Sequence, residues 1–187
     1  MVSPSGMNQS LPRSPGIVQN CWVVSNIEQA MADWLAIGVG PFHSFDVHLP
    51  DALYRGQKAE LRGHYALAQA GPLQIELVQP MGDGPSAFRD VLPKGASGNA
   101  FHHVMKTVGD WDAEMAALRA SGAMAATQGN HNGIRFAYLD TRQRIGCMLE
   151  LVEDGPFFRA INQVVREAAL GWNGDNPVRP LEIPASM

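Results

Sequence analysis

Apolar and polar positions follow a pattern that occurs twice along the chain. Residues 19–38, QNCWVVSNIEQAMADWLAIG, align without a gap with residues 103–122, HVMKTVGDWDAEMAALRASG. In each copy an apolar, β-branched stretch predicts a strand, and apolar residues at helical spacing predict the helix that follows. A second correspondence closes each copy, IELVQ at residues 75–79 against LELVE at residues 149–153. The chain is therefore predicted to be a duplicated module.

The same reading predicts the elements of each half. In the first half the predicted strands cover residues 17–24, 42–49, 65–69 and 73–79, with a turn near Pro50. In the second half strands are predicted over residues 101–108, 123–127, 134–140 and 145–152, and a last helix follows over residues 157–170. Ser25 or Asn26 is expected to cap the first helix and Asp110 the second. The predicted fold class is α+β, with paired βαβββ modules that form a curled mixed sheet around a cleft, plus a C-terminal helix.

At 187 residues the chain suits one compact unit built from two halves. Local composition indicates where the segments of the chain begin and end, because the first 15 residues are rich in Ser, Pro and Asn and residues 80–100 are rich in Gly and Pro. The predicted segments are a disordered tail (1–15), a first βαβββ module (16–80), a linker (81–100), a second βαβββ module (101–153), and a C-terminal helix with an extended tail (154–187).

Charge and cysteine content narrow the classes of partner. Lys and Arg total 14 against 18 for Asp and Glu, and the charges are dispersed, which argues against nucleic acid or a membrane surface. We expect a small-molecule substrate, and a homodimer because short strands in open sheets leave unpaired edges. Cys21 and Cys147 are expected to be reduced core residues. No apolar run approaches the ~20 residues of a membrane span and no signal peptide is evident, so a cytoplasmic location is expected.

Two pairs of polar residues occupy matched positions in the predicted strands. The repeat aligns Gln19 with His103, and Glu76 and Glu150 each stand between apolar neighbours in the closing strands. A carboxylate in an apolar strand is costly to bury unless a cation, a metal or hydrogen-bond donors compensate it. If the sheet curls around one cleft, these four side chains meet there. The alternative is that both glutamates face solvent from half-polar strands.

One imidazole, one amide oxygen and two carboxylates would suit a divalent metal ion such as Zn, Ni, Co, Mn or Mg. Strand alternation points four further residues toward the same cleft as substrate-lining candidates: Cys21, Gln74, Met105 and Met148. His102 is expected to face away from His103. Other polar residues are weaker candidates. The remaining histidines are expected at the surface or in loops: His43, His48, His64 and His131. The alternative is that His48 or His64 reaches the mouth of the cleft and serves as a second acid or base. Three basic residues could hold an anionic substrate end: Arg62, Lys94 and Arg135.

Several of these features together resemble the vicinal oxygen chelate superfamily. They are the paired βαβββ order, FHHV at residues 101–104, GIRFAYLD at residues 133–140 and the closing LELVE. The resemblance covers about residues 16–153 and implies a metal cleft. The superfamily's ligands lie on the first and last strand of each module, which correspond here to Gln19, Glu76, His103 and Glu150.

The resemblance also implies a class of chemistry. The Gln, Glu, His, Glu set is similar to that of zinc-type glyoxalase I, whereas GVGPF at residues 38–42 and the C-terminal helix look more like the epimerase-like branch. We expect a divalent-metal-dependent isomerase, epimerase or lyase that removes a proton next to a carbonyl of a substrate chelated through vicinal oxygens. Glu150 is the expected general base, steadied by Arg142 or Arg144, with Glu76 as the alternative. A non-catalytic, resistance-type binding protein and an extradiol-type dioxygenase are the competing classes.

Overall fold

The computed structural model describes residues 16–182, and the predicted tail at residues 1–15 lies outside them. Within the described residues the strands are β1 (Gln19–Val24), β2 (Phe42–Tyr54), β3 (Gln57–Ala70), β4 (Leu73–Met81), β5 (Asn99–Val108), β6 (Ala125–His131), β7 (Ile134–Leu139), β8 (Met148–Glu153) and β9 (Val178–Pro180). The helices are α1 (Ile27–Ala36), α2 (Ala87–Val91), α3 (Trp111–Ala120), α4 (Arg142–Ile145) and α5 (Pro156–Ala169).

The strands form one mixed sheet that curls and closes. Its order is β3-β4-β1-β5-β8-β7-β6-β2-β9, and β2 also pairs with β3. At its centre β1 runs parallel to β4 and β5 parallel to β8, while β1 and β5 are antiparallel. The predicted fold class is therefore confirmed. Closure pairs β3, which would otherwise be an edge strand, with β2, so the argument for a homodimer from open edges is weakened and the dimer stays a prediction.

Helices α1 and α3 pack on the outer face of this sheet at matched places. Asn26 caps α1 through the backbone amide of Gln29, and Asp110 caps α3 through that of Ala113, as the sequence predicted. Each capped helix then buries an apolar stripe, represented by Met31 in α1 and Met115 in α3, against its own half of the sheet. The third cluster of buried apolar residues lies inside the curled sheet. No helix within residues 16–182 is long and apolar enough to cross a membrane.

The turn predicted near Pro50 is wrong, because β2 continues through this residue to Tyr54. The pairing of β2 with β3 shifts register between Leu49 and Ala52, and such an irregularity tolerates a proline that has no amide hydrogen to donate. The chain reverses later, at Arg55 and Gly56, whose φ angles are 46° and 82°. Two successive positive φ values are typical of a two-residue hairpin, and Arg at the first position concealed this signal.

Candidate metal centre

Four polar side chains from the central strands converge inside the curled sheet. Gln19 on β1, Glu76 on β4, His103 on β5 and Glu150 on β8 are all buried, with exposed fractions of 3, 8, 0 and 6%. His103 Nε2 lies 2.9 Å from Glu150 Oε2 and 3.5 Å from Glu76 Oε2. Ligand atoms of these three residues all lie within 4.8 Å of one another. Pairing of β1 with β5, and of each with its parallel neighbour, produces this convergence.

A chain of amides orients Gln19. Its Nε2 donates to Gln74 Oε1 at 2.6 Å, and Gln74 Nε2 donates to Asn162 Oδ1 at 2.9 Å. Asn162 in turn donates to the Phe158 carbonyl oxygen, which anchors the chain in α5. With its nitrogen engaged, Gln19 presents Oε1, which is buried and accepts no hydrogen bond from any described residue. We refer to Gln19, Gln74 and Asn162 as the amide relay.

His102 corrects the prediction that it faces away from His103. Cys21 pairs with His103 and Trp22 with Phe101, so His102 is an extra residue in a β-bulge. The bulge turns both imidazoles to the inside of the sheet, where His102 Nδ1 lies 2.7 Å from His103 Nδ1. Burial lowers the pKa of His102 well below its usual range, and the neighbouring His103 lowers it further. A neutral His102 that accepts from His103 Nδ1–H leaves the Nε2 lone pair of His103 directed at the carboxylates.

The unpaired polar atoms at this point fit a divalent cation. Gln19 Oε1 and Glu76 Oε2 are buried and have no hydrogen-bond partner among residues 16–182, and His103 Nε2 lies 2.9 Å from Glu150 Oε2 without forming a hydrogen bond to it. The pKa of Glu76 is raised to about 7, mainly by burial and secondly by the neighbouring carboxylate of Glu150. Two buried carboxylates without a cation repel each other, whereas a divalent ion would neutralise both. The donors are the oxygens and imidazole nitrogen that Zn, Ni, Co or Mn accept.

A second group of ligand-type atoms lies close by, formed by Cys21, His102 and His103. Its atoms are less suited to a metal. Burial raises the pKa of the Cys21 thiol well above its usual range, and the charge of Glu76 raises it further, so the thiol stays protonated. The Nδ1 atoms of the two histidines already contact each other. The group is better described as the packed surroundings of His103.

A cavity of about 300 Å³ opens beside the convergent side chains. Gln19, Glu76 and Glu150 reach its surface, as do two of the predicted substrate-lining residues, Gln74 and Met105. The other two candidates, Cys21 and Met148, belong to the same inner cluster but are fully buried in its packed part and do not line the cavity.

The remaining polar candidates have other roles. His43 is buried with an exposed fraction of 4%, which corrects its expected surface position, because β9 pairs alongside it. His131 lines the cavity, whereas His48 and His64 form exposed pairs with Glu60 and Asp46.

The arginines expected to steady Glu150 are engaged elsewhere. Arg142 donates to both carboxylate oxygens of Asp140 and to the Asp90 carbonyl oxygen. Arg144 donates to the Ser121 carbonyl oxygen. The structure thus contradicts the steadying role, because the short helix α4 turns the guanidinium group of Arg142 toward Asp140 and α2, and that of Arg144 toward Ser121.

Sequence reasoning missed several residues of the cavity. Tyr65 on β3 and Tyr138 on β7 line it, and Phe157 and Phe158 of α5 cover one side. Tyr138 stood inside the GIRFAYLD motif, where strand alternation could have indicated it. Asn162 gave no signal, because an Asn within an amphipathic helix is ordinarily a solvent-facing residue.

The fold has counterparts among solved structures. Methylmalonyl-CoA epimerase from Mycobacterium tuberculosis is 19% identical with a TM-score of 0.55, over 81% of this chain and 97% of that chain. A hypothetical protein from Bacillus halodurans is 17% identical with a TM-score of 0.54, over 75% and 94%. A variant Streptomyces coelicolor methylmalonyl-CoA epimerase in complex with 2-nitronate-propionyl-CoA is 19% identical with a TM-score of 0.51, over 76% and 96%. At these identities the likeness concerns the fold alone.

Sequence comparison identifies the family. No curated protein matches the chain in sequence. The family model described as Glyoxalase/Bleomycin resistance protein/Dioxygenase superfamily, which belongs to the vicinal oxygen chelate superfamily, matches residues 18–138. This match covers more than half of the chain and confirms the resemblance predicted from the sequence. The chain belongs to the Glyoxalase/Bleomycin resistance protein/Dioxygenase superfamily.

Proposed function

We propose that the protein is a divalent-metal-dependent isomerase, epimerase or lyase that abstracts a proton next to a carbonyl of a small substrate chelated through vicinal oxygens. The observation that carries the proposal is the convergence of His103 Nε2 with the carboxylates of Glu76 and Glu150, at 3.5 and 2.9 Å, beside a cavity. The unpaired Oε1 of Gln19 supports it, because a buried acceptor without a partner is costly unless a cation binds there.

In this proposal Gln19, Glu76, His103 and Glu150 hold the ion. A bound divalent ion supplies Lewis acidity, which polarises a substrate carbonyl and makes the neighbouring carbon–hydrogen bond easier to ionise. The chain orients the ligands and holds the substrate. The amide relay presents an oxygen rather than a nitrogen at Gln19, and His102 directs the lone pair of His103. The walls of the cavity hold the body of the substrate.

A carboxylate of the site must then accept and return the proton. We assign this role to Glu150, with Glu76 as the alternative, because both line the cavity and can reach a bound substrate. If one carboxylate removes the proton and the other delivers a proton to the opposite face of the same carbon, the reaction is an epimerisation. Return to a different atom gives an isomerisation, and loss of a leaving group gives a lyase reaction.

The two competing classes are distinguished by specific features. A half-open cavity with largely apolar walls also suits a non-catalytic, resistance-type binding protein. The metal site expected of an extradiol-type dioxygenase has two histidines and one carboxylate as ligands. His103 is the one imidazole of the proposed set, and the neighbouring His102 directs its Nδ1 at His103 instead. This arrangement disfavours oxygen activation.

Metal analysis and proton exchange together test the proposal. We expect about one redox-inert divalent ion per purified chain, bound in a form that a chelator removes. The loaded protein should exchange the carbon-bound proton of an α-hydroxyketone or small acyl thioester with solvent deuterium, and the chelated protein should not. A chain that binds no divalent ion would favour the binding-protein class, and oxygen-sensitive Fe(II) would favour the dioxygenase.

A further inference from the structure

The walls of the cavity carry information about the substrate beyond the proposed reaction. Most of the lining is apolar or aromatic and comes from β2, β3, β7, α5 and the C-terminal segment: Phe45, Leu61, Phe136, Phe157, Ile161 and Leu181, among others. The neutral polar groups include Gln74 and the phenols of Tyr65 and Tyr138. Both phenols are buried, and each can donate a hydrogen bond to a neutral oxygen acceptor.

The charges on these walls are those of carboxylates. Glu76, Glu150 and Asp46 line the cavity, and within residues 16–182 no Lys or Arg does so. A bound divalent ion would neutralise Glu76 and Glu150 and leave Asp46, which is exposed at the mouth. His131 also lies on the lining, and burial lowers its pKa, so it adds no positive charge near neutral pH. An anionic substituent in this cavity would therefore find no cation besides the metal.

The basic residues that could have held an anionic substrate end are placed elsewhere. Arg135 pairs with Glu153 and Asp112, and Lys94 pairs with Asp83. Arg62 is exposed on β3 and does not line the cavity. An enzyme that holds a phosphate or a second carboxylate inside its pocket ordinarily supplies Arg or Lys for it. Here the described residues supply a hydrophobic wall in its place.

We infer that the substrate is a compact molecule whose body, beyond its two chelating oxygens, is neutral and largely apolar. This inference rests on the proposed function for the chelating end, and on the lining of the cavity for the body. The solved epimerases of similar fold are named for CoA esters, whereas this cavity fits an alkyl- or aryl-substituted α-hydroxyketone better. A volume of about 300 Å³ stands at the lower end of the ~300–1,000 Å³ usual for ligand pockets, which favours a small body.

A series of three hydroxamates tests the inference, because hydroxamates chelate divalent ions through two vicinal oxygens. Acetohydroxamate, benzohydroxamate and 4-carboxybenzohydroxamate share that end and differ only in the body. For the zinc-loaded protein we expect benzohydroxamate to bind at least about tenfold more tightly than acetohydroxamate, since burial of a phenyl ring is favourable. The 4-carboxy compound should bind about tenfold more weakly than benzohydroxamate, because its carboxylate is desolvated without a partner.

Failure of the inference is distinct from failure of the proposed function. Binding of the three hydroxamates is measured by calorimetry with zinc and by NMR titration without it, and the zinc content of the protein is measured independently. A protein that binds no zinc but keeps the preference for the phenyl compound contradicts the proposed function alone. A phenyl advantage below about threefold, or a 4-carboxy compound that binds as tightly as benzohydroxamate, overturns the substrate class.

A pair of charge variants on α5 provides a matched control. Ile161 lines the cavity, whereas Gln163 is exposed on the same helix. Ile161→Arg adds a cation to the wall and should improve binding of the 4-carboxy compound relative to benzohydroxamate by about tenfold. Gln163→Arg adds the same charge outside the cavity and should leave this ratio unchanged. An equal shift in both variants would mean that net charge, not the cavity wall, sets the preference.

Discussion

His102 and His103 are neighbours in sequence whose Nδ1 atoms lie 2.7 Å apart inside the sheet. Two consecutive strand residues ordinarily point to opposite faces, and the β-bulge at His102 removes that alternation. The contact gives the proposed ligand His103 a partner on the side away from the carboxylates. Partners of this kind fix the tautomer and ring orientation of metal-binding histidines.

We expect His102→Ala to weaken zinc binding by about 10- to 100-fold, the usual effect of removing a partner of a ligating histidine. His102→Asn is the conservative comparison, because an amide oxygen can accept near the position of Nδ1, and it should retain most of the affinity. Competition titration with a chromophoric chelator measures both variants. Equal loss in both, with normal unfolding of the metal-free proteins, would show that the ring fills space rather than orienting His103.

The amide relay makes a second prediction, because Asn162 of α5 reaches Gln19 only through Gln74. Asn162→Ala should free the Gln74 amide and let Gln19 rotate, which lowers zinc affinity by up to about tenfold. Gln163→Ala removes a neighbouring exposed amide from the same helix and should have no effect. The measurement is again zinc affinity, and an unchanged value in Asn162→Ala would mean that packing alone holds the Gln19 oxygen in place.

The assignment of the base is tested by matched amide variants. Glu150→Gln keeps an oxygen for the metal but removes the proton acceptor, so exchange of the substrate's carbon-bound proton should fall by about 10²- to 10⁴-fold. Gln19→Ala removes a neutral ligand and should mainly weaken metal binding. Glu76→Gln is assayed beside them with metal bound in all samples. If Glu150→Gln exchanges at the wild-type rate while Glu76→Gln does not, Glu76 is the base.

A fourth prediction concerns the pH dependence of stability. Asp140, Arg142 and Arg55 form a cluster that joins the end of β7 to the β2–β3 hairpin and to α2. Arg142, and secondly Arg55, holds the pKa of Asp140 well below its ordinary value of 3.8. A carboxyl whose pKa is depressed in the folded state stabilises it above the ordinary pKa, and this contribution is lost as pH falls through the lower value. Asp140→Asn should therefore lower the free energy of unfolding by about 1 kcal/mol at pH 7.

That difference between wild type and Asp140→Asn should shrink steadily once the pH drops below about 4. Urea unfolding at several pH values measures it. A difference that stays constant down to pH 2 would show that the amide, rather than the lost charge, destabilises the variant.

Much of the fold could be predicted because the two halves repeat the same physical signals. Asn26 and Asp110 cap equivalent helices, and the apolar closing strands mark the end of each half. The convergence of Glu76 with His103 was expected from the same repetition, since buried carboxylates at matched positions require a common partner. The helix caps and the apolar strands can be recognised in the sequence because each depends on residues within one strand or helix.

What could not be predicted depends on contacts between segments distant in sequence. The bulge that turns His102 inward exists only because β1 and β5 pair out of step at that point. The role of Asn162 depends on where α5 lies relative to β4, which no periodicity specifies. Arg142 was assigned to Glu150 by proximity in sequence, yet the backbone of α4 directs it to Asp140.

Closure of the sheet through β2 has a consequence for how the duplicated chain folds. Strand β2 of the first half pairs with β6 of the second, and β1 pairs with β5, so both seams of the curled sheet join the two halves. The residues proposed to bind the metal likewise come from both sides. Neither half can bury its inner apolar face alone. The repeat in the sequence therefore does not give two autonomous folding units, and the described chain is expected to unfold in one cooperative transition.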